Sequence, residues 1–279
     1  NTYIATIMAI VKSGYRPILV EPDIRTYNID VTKIEEKINK KTVAILVVHL
    51  YGKACDMKEI QEIGSRFNLR IIEDCAQSHG AKFNGKITGS FGIGCFSFYP
   101  TKNLGALGDA GAITCSAEKF SKRIKSLRNY GSSKKYFNDE LGYNSRLDEI
   151  QAGFLTQKLK FLDKITLHKR KLASLYMENL SDKYIKPIIE DGYYDVYHIY
   201  NIRHEKRDEL KDYLLQNGVG SEIHYPVAPH KQKFLSSLIT GEYPISEQIH
   251  NTTLSLPISF FHEEKDILKI CDILNSWNG

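Results

Sequence analysis

The chain has 279 residues, 42% of them apolar and 25% charged, with a formal net charge of +5. This is enough apolar material for one large domain or a large and a small one, and too little bias for a disordered or low-complexity chain. The modest charge suits an anionic small molecule and gives nucleic acid little support. No apolar run is long enough to span a bilayer, and five cysteines without short paired spacing argue against a disulfide scaffold or a cysteine zinc site and for a reducing cytoplasm.

The start is abrupt. Asn1-Thr2-Tyr3 runs straight into an apolar stretch, 4–11, that reads by composition as a mostly buried helix ended by Gly14. Such an opening leads to the expectation that further sequence precedes it. Residues 18–20 read as a strand, and Asp30 as the cap of a helix with Ile34 and Ile38 on its apolar face. The almost continuously apolar 43–49 has the pattern of a parallel strand covered on both faces. Asp56 caps the next predicted helix, which carries Ile60 and Ile63, and 69–72 is another buried strand. This alternation predicts βαβ units with right-handed crossovers.

The stretch 71–103, IIEDCAQSHGAKFNGKITGSFGIGCFSFYPTKN, stands out. One apolar run delivers Glu73 and Asp74, and a second, 95–98, ends at Tyr99-Pro100-Thr101-Lys102-Asn103 among glycines. Strand exits of this kind are where open α/β sheets place ligands. Further on, 111–114 reads as a short strand, 117–127 as a helix, and 132–143 as a polar surface loop. A long helical pattern from Ile150 either continues toward Tyr176 or kinks near Asp163. From about residue 178 the pattern becomes α+β. Strands are predicted at 198–202, 221–225 and 253–256, and helices at 206–215 and 263–274.

Several side chains carry two readings each. Lys102 is either a surface lysine in a glycine-rich loop or an amine able to form a Schiff base with an aldehyde cofactor. Asp74 is either a cap or a carboxylate that keeps a pyridine nitrogen protonated. Gln77 can donate to the ring's phenolic oxygen or to backbone. Glu73 alternates away from Asp74 and is the weaker candidate. Ser97 is a phosphate ligand or a buried strand serine. Asn144 is a phosphate ligand or a cap, and Arg146 an anion contact or an ion-pair partner. His49 and His79 line a cleft or are structural, and Cys75 reads as core filling. No Walker loop, Rossmann fingerprint or histidine zinc spacing is present, so no metal is expected.

The segments EDCAQSHGA, FSFYPTKNLGALGDAGAI, LRNYG and NSRLDEIQAG, with NTYIATIMAI, TYNID, VHLYG and HYPVAPH, span essentially the whole chain. Together they resemble the DegT/DnrJ/EryC1/StrS family of pyridoxal-phosphate-dependent sugar aminotransferases. The resemblance implies an α/β, aspartate-aminotransferase-like (type I) fold. A large mixed or parallel-sheet domain at 1–165 would be followed by a smaller α+β domain at 166–279. It implies pyridoxal 5'-phosphate, alternating with pyridoxamine 5'-phosphate, with Lys102 as the Schiff-base lysine. Asp74 would meet the pyridine nitrogen, Gln77 the phenolic oxygen and Ser97 the phosphate, joined by Asn144 from the neighbouring subunit of a homodimer. His79, Tyr99, Arg146, His224 and Tyr225 stand as substrate contacts. The implied reaction passes an amino group from glutamate to a nucleotide-linked keto sugar. The flavour is that of enzymes acting on thymidine-diphosphate 3-keto-6-deoxyhexoses, which supply amino sugars to surface glycans and lipopolysaccharide. Roughly 80 to 100 residues are expected to precede the segment resembling Asn1. A dehydratase on the same fold and a non-catalytic regulatory protein are the alternatives. Lys102 speaks against the first, and the intact Asp74, Gln77, Ser97 and Lys102 against the second.

Overall fold

A computed structural model describes residues 1–279. Helix α1 (Ile4–Lys12) is followed by extended chain and two 3-10 turns. Strand β1 (Ala44–Val48), helix α2 (Met57–Arg66) and strand β2 (Arg70–Asp74) form one βαβ unit with β1 and β2 parallel. After the ribbon β3 (Lys82–Phe83) and β4 (Lys86–Ile87), strand β5 (Ile93–Ser97) lies parallel to β2. Strand β6 (Gly111–Thr114) returns antiparallel to β5, so the main sheet is mixed, with order β1-β2-β5-β6.

Helix α3 (Glu118–Leu127), the hairpin β7 (Ser132–Lys134) and β8 (Phe137–Asn138), and helices α4 (Glu149–Leu159) and α5 (Leu162–Asn179) lead out of the sheet. Strand β9 (Tyr193–Tyr194) pairs back onto β3. Strand β10 (Tyr200–Arg203), helices α6 (Arg207–Gln216) and α7 (Pro244–Thr252), strand β11 (Thr253–Leu256) and helix α8 (Glu264–Ser276) complete the chain. Here β10 and β11 form an antiparallel pair.

Two main cores follow from the sequence pattern. In α2, Met57, Ile60 and Ile63 recur at helical spacing and bury against Ile45 and Val47 of β1. Asp56 starts that helix by accepting the backbone N–H groups of Lys58 and Glu59 at 3.2 and 3.3 Å. The larger core joins Leu172, Ala173 and Tyr176 of α5 to Ile202, Leu210, Leu254, Ile267 and Leu274. The expected domain boundary at 165/166 falls inside α5. No helix is long and apolar enough to cross a membrane.

Several local expectations are corrected. Helix α1 buries only Thr6 and Ile7, because a single apolar partner, the cluster of Leu235 and Ile239, covers it. Residues 18–20 are extended but unpaired, and only the bridge Pro22–Ile29 forms. Pro17 and Pro22 flank the run and remove ladder donors. Asp30 does accept from Thr32, at 3.0 Å, but it starts a 3-10 turn rather than an α-helix. Strand β1 alternates rather than being buried on both faces: Ile45 and Val47 face the core. Of the two readings of the long helix the kink is the one that forms, at Lys160–Phe161, and the loop 132–143 contains a hairpin. The strand expected at 221–225 reduces to one bridge, Glu222–Ser255.

Glu73 and Asp74 leave β2 toward opposite faces, and their surroundings differ accordingly. Glu73 is fully buried. One oxygen takes His49 Nε2 at 3.0 Å and the Gly89 N–H at 2.7 Å; the other takes the N–H groups of Phe91 and Gly92. Gly89 holds φ at 82°, and a Cβ there would strike the Phe96 ring, so only glycine presents that N–H. Burial pushes the Glu73 carboxyl up. The hydrogen bonds from His49, Gly89 and Gly92 outweigh it and hold the group below its usual range. Glu73→Gln leaves one amide facing donors instead of acceptors. It is expected to cost about 2–4 kcal/mol, read as a lowered urea midpoint; an unchanged midpoint contradicts this.

Candidate active site

The sheet register puts the chemistry on one edge. Val48 of β1 pairs with Asp74 of β2, and Asp74 with Cys95 of β5, so Asp74 and Ser97 both lie at the C-terminal ends of parallel strands. The Asp74 backbone carbonyl accepts His49 N–H at 3.1 Å, and Cys95 accepts Cys75 N–H at 2.8 Å, which extends the ladder into the turn. The Asp74 carboxylate accepts Thr6 Oγ1 at 2.7 Å on one oxygen and the Ala76 N–H at 3.0 Å on the other. Both oxygens are thus fixed in direction and half-buried.

Beyond β5 the chain turns back at Pro100. The Lys102 N–H bonds the Tyr99 carbonyl at 2.9 Å and the Ala106 N–H the Phe98 carbonyl at 2.7 Å. Lys102 is half-buried. Burial pulls its ammonium below the usual lysine range, and the opposing pull of Asp74 is smaller. The charge of Lys102 reaches His79 and His224, and that of Asp74 reaches Tyr225. Both His79 ring nitrogens are buried without a partner between Phe96 and Phe98, and burial pushes this imidazole down to about 4. The Gln77 amide is buried, accepting Tyr51 N–H at 2.6 Å and donating to the Tyr225 hydroxyl at 3.0 Å. Burial raises that phenol to about 12, so it stays protonated. His224 Nδ1 sits 2.9 Å from Ser255 Oγ.

Other predicted residues are not brought into this group. Asn144 and Arg146 are exposed and tied to the α3 end: Asn144 bridges Asn129, and Arg146 donates to the Asn129 side chain at 3.0 Å. Tyr99 points outward, and the half-buried Ser97 hydroxyl accepts only the Tyr99 N–H at 3.3 Å. His49 is structural: Nδ1 accepts the Cys55 N–H while Nε2 donates to Glu73. Ligand atoms of His49, Glu73 and Cys75 lie within 4.8 Å of one another. The imidazole nitrogens and carboxylate oxygens are already engaged there, so this cluster offers a metal no free pair of donors.

Three residues were missed in the sequence. Thr6 lies 68 positions from the carboxylate it orients, and nothing local marks it. His198 is half-buried and close enough to Lys102, Lys169, His79 and His224 to feel their charge, and desolvation holds it far below the usual histidine range. Lys169 did carry a signal, because it falls on the buried stripe of α5 with Thr166, Leu172, Ala173 and Tyr176.

Burial takes Lys169 down to about 7, whereas an unfolded lysine titrates near 10.4. The unfolded state therefore holds one more proton between those values, and stability rises with pH across that window. Relative to Lys169→Met, the native chain is expected to gain about 2 kcal/mol between pH 7 and pH 9, measured by urea denaturation at both values.

Residues 1–275 match the DegT/DnrJ/EryC1/StrS aminotransferase family. The chain belongs to this family. It is 49% identical over 279 residues to a dTDP-3-amino-3,6-dideoxy-alpha-D-galactopyranose transaminase of Aneurinibacillus thermoaerophilus, covering 99% of this chain and 77% of that protein. It is 42% identical to a pleiotropic regulatory protein of Geobacillus stearothermophilus over 92% of this chain and 71% of that one. A crystal structure of S. venezuelae DesV in complex with a ketimine intermediate superposes with a TM-score of 0.97 at 37% identity, covering 99% of this chain and 76% of that one. The fold is that of pyridoxal-phosphate-dependent sugar aminotransferases, and this family member is an enzyme of that kind, a nucleotide-sugar aminotransferase using pyridoxal and pyridoxamine phosphate.

Proposed function

We propose that the chain transfers an amino group from glutamate to a thymidine-diphosphate-linked 3-keto-6-deoxyhexose, as one half of a homodimer with shared sites. The observation that carries the reading is a half-buried amine, Lys102, with no hydrogen-bond partner of its own, facing the doubly anchored carboxylate of Asp74 at one sheet edge. These residues fit pyridoxal phosphate: an amine for its aldehyde, a carboxylate for its ring nitrogen, and the Gln77 amide beside them. When bound, that group supplies an electron sink for the amino donor's Cα electrons.

In this reading Lys102 would hold the cofactor through its aldehyde and, as a free amine, would take up and return the proton at the carbon that bears the amino group. Its lowered affinity for a proton, caused by burial, leaves more free base for this work near neutrality. Asp74 would keep the ring nitrogen protonated. The Gln77 amide, which donates to the Tyr225 hydroxyl, would supply an N–H to the phenolic oxygen. Ser97 offers its hydroxyl to the phosphate from the end of β5. His79, His224 and Tyr225 line the space left for the sugar.

The partner subunit supplies Asn144. Tyr136 and Leu141, 85% and 89% exposed, and the exposed Tyr143 and Ile150 flank Asn144 in sequence, and so many exposed apolar side chains in one segment suit burial against a second copy. The five unpaired thiols suit a reducing cytoplasm.

Glutamate with a panel of nucleotide-linked 3-keto and 4-keto sugars tests the substrate. 2-Oxoglutarate is expected from the thymidine-diphosphate 3-keto sugar. Release only with 4-keto sugars overturns the assigned carbon, and release with none overturns the reaction. Mixing Lys102→Ala and Asn144→Ala protomers is expected to restore activity that neither has alone, because one site of each hybrid is intact. No recovery after subunit exchange contradicts the shared site.

A further inference from the structure

Lys169 projects from α5 into the molecule and is only 5% exposed. A buried ammonium ordinarily demands a carboxylate, yet both partners of this one are neutral. Nζ lies 2.8 Å from Asn103 Oδ1 and 3.2 Å from the His198 carbonyl. Asn103 is the residue after Lys102. Its other amide end donates to the Val196 carbonyl at 3.1 Å. The neighbouring Arg170 takes the Asp195 carbonyl at 2.8 Å. Three carbonyls of the segment 195–198 are therefore gathered by Arg170, Asn103 and Lys169.

That segment in turn packs on the turn at Tyr51 and Gly52. Val196 N–H bonds the Gly52 carbonyl at 3.0 Å, and Ile199 N–H the Tyr51 carbonyl at 3.3 Å. A Cβ on Gly52 would meet His198 N at 2.9 Å, so the two backbones are in direct contact. Tyr51 N–H then holds Gln77. One continuous series of hydrogen bonds thus runs from the backbone beside Lys102, through Asn103, the 195–198 segment and Tyr51, to Gln77. Lys169 ties its Lys102 end to α5.

We infer that Lys169 is a positioning residue for Lys102, acting through Asn103 to fix the Lys102 turn against the 195–198 segment and hence against Gln77. This deepens the proposed function and rests on its assignment of Lys102. The physical requirement is plain. A lysine that leaves its covalent bond each half-cycle must return to the same place, and its own long side chain provides no rigidity. The rigidity has to come from the backbone that carries it, and a two-residue polar strut to a long helix provides it. Asn103 is the natural intermediary, since an amide receives at one end and donates at the other. Without the strut the turn is free to shift outward. The Lys102 amine then gains water and loses its fixed relation to Asp74, His79, His198 and His224, the ionisable groups around it.

The test reads Lys102 directly, without cofactor. Trace acetylation across pH 6 to 11, with peptide mass spectrometry, gives the midpoint at which its amine becomes reactive. Lys169→Met and Asn103→Ala are each expected to raise that midpoint by about one pH unit. The double variant should move it no further than either single, because both break one link. Lys171→Met, on the exposed side of α5, should leave it unchanged. A native midpoint in either single variant, or additive shifts in the double, overturns the inference. If Lys169→Met does not melt cooperatively, Asn103→Ala, which leaves α5 intact, decides alone. Pyridoxal phosphate added to the native protein tests the other assignment separately. Absence of an absorption band that depends on Lys102 defeats the cofactor role of Lys102, while the acetylation midpoints still decide the role of Lys169.

Discussion

Lys102→Ala is expected to lower kcat about 10³ to 10⁴-fold while the protein still melts cooperatively. The effect is large because the proposed function gives one amine two tasks, holding the cofactor and moving a proton at the donor Cα. No neighbour is placed to take over. His79 and His198 are kept neutral by burial, but neither ring is aimed at a reacting atom by a hydrogen bond. The Tyr225 phenol is raised to about 12 and holds its proton at neutral pH. Lys102→Arg separates charge from proton transfer. It retains the positive charge facing Asp74 but does not give up a proton below pH 12, so it should be as inactive as the alanine variant. Partial recovery of Lys102→Ala by small primary amines would identify the lost function as proton transfer. Single-turnover conversion of added pyridoxamine phosphate and keto sugar is the direct measurement. A residual rate within tenfold of native would remove Lys102 from the mechanism.

The fold was legible wherever the deciding interaction is local. Asp56 ahead of Ile60 and Ile63 announces a cap and an amphipathic helix, and both form because the cap and stripe lie within one short segment. The 69–72 run announces β2, although Ile71 and Ile72 are only half-buried and the one fully buried residue of the strand is Glu73. Residues 18–20 fail for the complementary reason. Strand formation needs a partner with free donors, and the prolines on either side are visible in sequence while the missing partner is not. The α4–α5 break at Lys160–Phe161 matches the kink that the sequence offered near Asp163, but the apolar spacing continues through it and so could not decide between a kink and one long helix.

The candidate site divides along the same line. Asp74, Gln77, Ser97 and Lys102 lie within 29 consecutive residues at two strand ends, so a linear reading reaches them. What orients them does not lie there. Thr6 holds Asp74 across 68 residues, Tyr225 meets Gln77 across 148, and Lys169 reaches Asn103 across 66. Residue type predicts which group carries the chemistry, but the donors that aim it are set by how distant segments pack. Lys169 is the instructive exception. A lysine on a buried helical stripe contradicts the burial pattern, and that contradiction is readable before any coordinates exist.

Asp74→Asn is expected to lower kcat about 10² to 10³-fold, with cofactor affinity reduced less. The side chain keeps its shape, and its remaining carbonyl oxygen can still accept the Ala76 N–H as the carboxylate does at 3.0 Å. The negative charge at the sheet edge is what disappears. A protonated ring nitrogen is then unsupported, and a neutral ring withdraws electrons from the donor Cα far less well. The anchoring predicts a graded series. Thr6→Val removes the 2.7 Å donor to the same carboxylate without removing charge, so it should cost about tenfold in kcat, well short of Asp74→Asn. In the double variant the Thr6 hydroxyl has no carboxylate left to orient, and its loss should add little. A cofactor analogue methylated on the ring nitrogen carries the positive charge permanently. It should restore part of the Asp74→Asn rate and none of the Lys102→Ala rate, because it repairs the electron sink and not the proton carrier. Equal recovery in both variants, or none in Asp74→Asn, would mean that Asp74 shapes this edge of the sheet rather than the electronics of the ring.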